Sequence, residues 1–165
     1  MQHVQPRSTT SALVLIAVLI ALATLFTMYT KIPVPGIRGY FNVGDVVIMT
    51  SALLLGRKYG AYIGAIGPAL ADLFLGYAVF VPITFVVKGI EGYLVGTVYN
   101  HRTTTSALVA TIVGGIVIVA GYFIAEYFIF DPGVAIASIL TNTIQAVMSV
   151  IVSMILYAIL RKRLG

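Results

Sequence analysis

Pro82-Ile83-Thr84-Phe85-Val86-Val87-Lys88-Gly89-Ile90-Glu91-Gly92-Tyr93-Leu94-Val95-Gly96-Thr97-Val98-Tyr99 carries a lysine and a glutamate in the middle of an otherwise apolar run. At about 1.5 Å per residue its helix covers roughly 27 Å, close to the hydrocarbon thickness of a bilayer. Charge at that depth is costly in lipid, so these two residues must face a polar interior, and function is to be sought there.

The rest of the chain agrees with a membrane setting. Its 165 residues are 60% hydrophobic and 9% charged, with a mean hydropathy of +1.06; a soluble domain has about 25% charged residues. Six stretches read as spans, at residues 12–28, 43–55, 59–75, 82–99, 107–130 and 134–160. The second is short for a crossing and must borrow flanking residues or sit inside the bundle. Strict alternation is absent and the runs exceed barrel strands, which argues against a β-barrel. Ala21-Leu22-Ala23 has the look of a signal cleavage site, but the first stretch is long for a signal core. The expectation is an all-α, six-helix bundle forming one transmembrane domain over residues 1–165, in a bacterial-type cell membrane.

Orientation follows the basic residues. If the chain weaves six times, Arg7, Arg57, Lys58, Arg102, Arg161, Lys162 and Arg163 share one side, which places both termini in the cytoplasm. The net charge of +5 is then explained by topology and anionic lipid, without nucleic acid. No cysteine is present, which excludes disulfides and thiol chemistry.

Small residues indicate packing. Gly60, Gly64, Gly67 and Ala71 line one face of the third helix and Gly92 and Gly96 one face of the fourth, so these two helices are expected to touch. Pro68 should kink the third helix or free a carbonyl. Ala17 and Ala21 form an Ala-xxx-Ala pair on the first helix; by spacing alone the default is internal packing, with docking of a second membrane protein as the other reading. The connection from Tyr29 to Asn42 contains Pro33, Pro35, Gly36, Arg38 and Gly39, which suits a shaped cap.

Weaving the chain brings polar residues to comparable outer depth. Asp45, Asp72, Lys88, Glu91, Tyr122, Glu126, Asn142 and Gln145 converge from five helices, whereas the cytoplasmic halves read as almost purely apolar. The resulting picture is a cup open outward and sealed inward. A channel or proton relay needs polar groups along the whole path. The bland account is a structural cluster in which Lys88 pairs with Asp72 and with Glu91 one turn away. Catalytic signatures are missing: no His-Glu-x-x-His helix, nucleophile elbow or phosphate loop occurs, and Asp45 with Asp72 shows no reason to share a proton.

The run Phe41-Asn42-Val43-Gly44-Asp45, then Ala71-Asp72-Leu73-Phe74-Leu75-Gly76-Tyr77, then Pro82 and Lys88-Gly89-Ile90-Glu91-Gly92, resembles the substrate-binding S components of energy-coupling factor (ECF) vitamin transporters, and within them the hydroxymethylpyrimidine or pyridoxine branch. The resemblance implies a six-helix protein, not an enzyme and without cofactor or metal. Such proteins capture a vitamin from outside and join a transmembrane T component and two cytoplasmic ATPases. It further implies that Ala17 and Ala21 meet the T component, that the loop with Pro33, Pro35, Gly36 and Arg38 is a lid, and that Asn42, Asp45, Asp72, Tyr77, Lys88, Glu91, Tyr122, Glu126, Asn142 and Gln145 surround the ligand. Without a cluster of cations, a neutral or zwitterionic heteroaromatic ring suits such a pocket better than a phosphorylated ligand. The alternatives are a stand-alone proton-coupled transporter using Asp72, Lys88 and Glu91, and a structural membrane subunit without a ligand.

Overall fold

The structure, a computed structural model, describes residues 8–30, 32–33, 40–100 and 103–164, with backbone alone at 32–33, 40–41 and 164. Six helices follow one another: α1 (Thr9–Tyr29), α2 (Gly44–Leu55), α3 (Arg57–Phe74), α4 (Phe80–Val98), α5 (Thr104–Ile129) and α6 (Pro132–Leu164). Between α1 and α2, Ile32–Pro33 and Tyr40–Phe41 form a two-residue antiparallel ladder, in the register Ile32 to Phe41 and Pro33 to Tyr40. Pro35, Gly36 and Arg38 of the expected lid lie outside the described residues.

Among the described residues, α1, α4, α5 and α6 are the helices long and apolar enough to span a membrane by themselves. The other two are explained by their surroundings. Ten of the twelve residues of α2 are buried, and α1, α3, α4 and α6 all pack around it. A helix so enclosed does not meet lipid and need not match its thickness. Helix α3 keeps Arg57, Lys58 and Asp72 and turns its small residues toward α1, α2 and α4. Outside, the bundle is apolar: Leu13, Ile116, Phe128 and Leu140 are more than half exposed, as expected of side chains that face lipid.

Two corners need glycine. Gly56, at φ 94°, is the single residue between α2 and α3. Gly76, at φ 81°, closes α3: its N–H reaches the Leu73 carbonyl at 3.2 Å, and the Tyr77 N–H reaches that of Asp72 at 2.8 Å. This is the Schellman pattern, and it turns Tyr77 back over the end of its own helix. The fourth helix begins at Phe80, two residues before the expected Pro82, whose missing N–H costs nothing in a first turn.

The expected contact of α3 with α4 is present and very close. A Cβ on Gly64 would run into the Lys88 carbonyl, one on Gly92 into that of Gly60, and one on Gly60 would lie 2.5 Å from the Gly92 oxygen. Opposite, Gly67 meets α1, where the Thr24 hydroxyl donates to the Gly67 and Ile20 carbonyls, each at 2.9 Å. Internal packing of Ala17 and Ala21, the default from spacing, is not what the structure shows. Both are exposed, and α1 turns Ala23, Thr24 and Thr27 inward instead.

Gly64→Ala should therefore cost about 1–3 kcal/mol of stability by forcing the helices apart. Gly115→Ala, whose added Cβ would come within 3.2 Å of the Ala146 methyl and no nearer than 3.8 Å to anything else, should cost less. Thermal unfolding of both variants in detergent checks this; equal midpoints would refute it.

Candidate ligand-binding site

Helix α2 opens with a local device. The Asn42 side-chain carbonyl accepts the Gly44 N–H at 2.8 Å, and the Thr30 hydroxyl accepts the Val43 N–H at 3.1 Å, tying the helix start to the end of α1. Gly44 is required there, since a Cβ would collide with the Thr27 hydroxyl. Asp45 follows in the first turn, where the helix dipole favours a carboxylate.

Asp45 is the partner of Lys88. The ammonium lies 2.5 Å from Asp45 Oδ1 and 3.5 Å from Glu91 Oε2, and all three side chains are withdrawn from solvent. The expected Asp72–Lys88 pair is thus corrected to Asp45–Lys88, because α2 threads the centre of the bundle and brings its first turn against α4. The Glu91 contact is as expected. Lys88 Nζ also sits 5.4 Å from the centre of the Tyr122 ring, whose hydroxyl is 2.9 Å from that of Thr84. The second Asp45 oxygen accepts from Gln145 Nε2 at 2.7 Å, while Gln145 Oε1 accepts the Asn42 N–H at 3.1 Å. One amide therefore joins α6, α2 and the preceding loop, and these contacts fix which end is nitrogen.

Next to this cluster is a cavity of about 50 Å³. Eight of the ten expected site residues line it: Asn42, Asp72, Tyr77, Lys88, Tyr122, Glu126, Asn142 and Gln145. Asp45 and Glu91 do not; they stand behind Lys88 and fix it. Thr27, Pro68, Phe80, Thr84, Ser138 and Thr141 also line the cavity and were not anticipated. A signal for some of them existed, because Ser138, Thr141, Asn142, Gln145, Ser149 and Ser153 form a polar stripe at helical spacing on α6. The volume suits a water or two, so a ring-sized ligand enters only if lining side chains change rotamer. Among the described residues no group of His, Cys, Asp and Glu is arranged to hold a metal ion.

Polarity continues further inward than expected. Thr111, Ser149, Ser153 and the hydrogen-bonded hydroxyls of Tyr99 and Tyr157 are buried in the inner half. Most are satisfied locally: Thr111 donates to the Ala107 or Leu108 carbonyl, and Ser153 to that of Val150. Charged groups, by contrast, go no deeper than Glu91 along α4.

A family model described as the S component of ECF-type riboflavin transporters matches residues 7–162, and the chain belongs to that family. It is 41% identical over 144 residues to a protein of Pyrococcus woesei described as "Uncharacterized protein in gap 3'region", covering 86% of this chain and 96% of that one. It is 28% identical over 152 residues to the thiamine precursor transporter HmpT of Lactococcus lactis subsp. cremoris, covering 91% and 87%. A solved structure of the S component of a bacterial ECF transporter has the same fold, with a TM-score of 0.74 at 21% identity over 96% of this chain and 99% of that one. The protein is accordingly an integral membrane transporter component and not an enzyme.

Lys88→Met leaves two buried carboxylates without a cation and should cost about 3–5 kcal/mol. Adding Asp45→Asn and Glu91→Gln should recover most of that loss. Chemical unfolding of both variants in detergent measures the difference; no recovery in the triple variant would count against charge imbalance as the cause.

Proposed function

We propose that the chain, as one transmembrane domain with both termini in the cytoplasm, captures a small vitamin or vitamin precursor of the hydroxymethylpyrimidine type from outside. It then passes the ligand inward in complex with a T component and two ATPases. The observation that carries this is a cavity lined by polar side chains from five helices and from the connections before α2 and after α3. A purely structural cluster has no need of Asn142 and Thr141 around a space. The likeness to HmpT supports a pyrimidine. The family model is named for riboflavin, whose three fused rings require more side-chain rearrangement around this cavity than one ring does. Lys88, held by two carboxylates, is not available to an anion such as pantothenate.

The outward face of Ala17 and Ala21 supports docking of the T component there. Their small side chains leave a shallow track between Leu13, Val14, Val18 and Leu25, all exposed, against which another membrane helix packs closely.

Calorimetry of the purified protein in detergent, without partners, against hydroxymethylpyrimidine, pyridoxine, riboflavin, thiamine and pantothenate should give saturable binding of the pyrimidine. If folded protein bound none of them, ligand capture would be refuted. Ala17→Trp with Ala21→Trp should abolish copurification with the T component while leaving ligand affinity unchanged. Retained copurification would remove the docking assignment.

A further inference from the structure

Resting on the proposed capture of a pyrimidine, the charge balance of the cavity specifies how the ligand is read. Glu126 is 3% exposed, lines the cavity and forms no ion pair among the described residues; its contact is the Ser138 hydroxyl. Lys88 cannot serve it, being already flanked by two carboxylates. Formally, +1 for Lys88 and −3 for Asp45, Glu91 and Glu126 leave −2, before Asp72 on the same wall is counted.

Ser138 is built for both states of that carboxyl. Its oxygen also lies 3.0 Å from the Ala135 carbonyl, so the one hydroxyl proton has two acceptors. With Glu126 protonated, the acid donates to Ser138 and Ser138 donates to Ala135. With Glu126 ionised, Ser138 turns its proton to the carboxylate.

We infer that Glu126 gives its proton to a ring nitrogen of an amino-substituted pyrimidine and holds the resulting cation. The O–H bond of the acid breaks, an N–H bond forms on the ring, and no other reactant is needed. The ring N–H and the adjacent exocyclic amine then present two parallel donors to the two carboxylate oxygens, the same fork by which a guanidinium pairs with a carboxylate. Lys88, already neutralised, does not repel this cation as a free ammonium would.

The test compares 4-amino-5-hydroxymethyl-2-methylpyrimidine with its 4-oxo counterpart, which is similar in shape but lacks the amine and the basic ring edge. The wild type should bind the amino compound about tenfold tighter or more. The ring 15N resonance of the bound amino compound should move to that of the protonated base. Glu126→Gln, near-isosteric and checked for an unchanged unfolding midpoint, should narrow the preference and leave the ring nitrogen unprotonated. Equal affinity for the two pyrimidines, an unprotonated nitrogen in the wild type, or an unaltered preference in the variant would overturn the inference. Tight binding of riboflavin with neither pyrimidine would also overturn it while leaving ligand capture standing. Failure of the folded protein to bind any vitamin would refute both.

Discussion

One buried ammonium organises this bundle. Lys88 sits in the middle of α4 at a depth where an unpaired charge would oppose insertion, and its neutralisation requires Asp45 from α2 and Glu91 from its own helix. Much else follows from keeping those groups together. Asp45 must begin a helix, because its carboxylate also benefits from the free N–H groups of a first turn. That helix must run through the centre, which is why it is short and almost wholly buried. Gln145 completes the arrangement from α6 by occupying the second Asp45 oxygen.

The glycines make this possible mechanically. Lys88 lies level with the crossing of α3 and α4, and its own carbonyl is what a side chain at Gly64 would strike. Enlarging the contact would therefore move the charged cluster as well as the backbone. Replacing a buried ion cluster by apolar residues often leaves a fold as stable or more so, so stability alone does not account for this one. Its clearest structural consequence is that one wall of the cavity carries a lysine whose charge is already answered, while Glu126 forms no ion pair among the described residues.

Much of this was legible in the sequence, for identifiable reasons. Helix number and limits came from hydropathy and from Pro and Gly positions, and the α3–α4 contact from glycines four residues apart. The convergence of Asp72, Tyr122, Glu126 and Asn142 came from counting depth along alternating spans, since helical rise is fixed. Depth alone, however, does not reveal which neighbour lies beside a helix. That is why depth pairs Lys88 with Asp72 at similar height and not with Asp45, whose helix is central. Rotation about the axis was equally hidden for α1, where every face is apolar; Ala17 and Ala21 give no sign of pointing outward until Thr24 and Thr27 are seen to point in. The polar stripe from Ser138 to Ser153 was present at helical spacing, but single hydroxyls in an apolar helix carry weak weight beside acids and amides.

Helix α1 joins the two surfaces that the proposed function needs. Thr27 lines the cavity on its inner side, and Ala17 with Ala21 occupies the outer side two to three turns away. The helix is fixed against α3 by Gly67 and by the hydroxyl of Thr24, and its end is fixed to α2 through Thr30. The same helix that carries the outward alanines thus lines the cavity through Thr27 and is tied to the start of α2, where Asp45 holds Lys88. On the proposed function, docking of the partner and capture of the ligand would then share one helix.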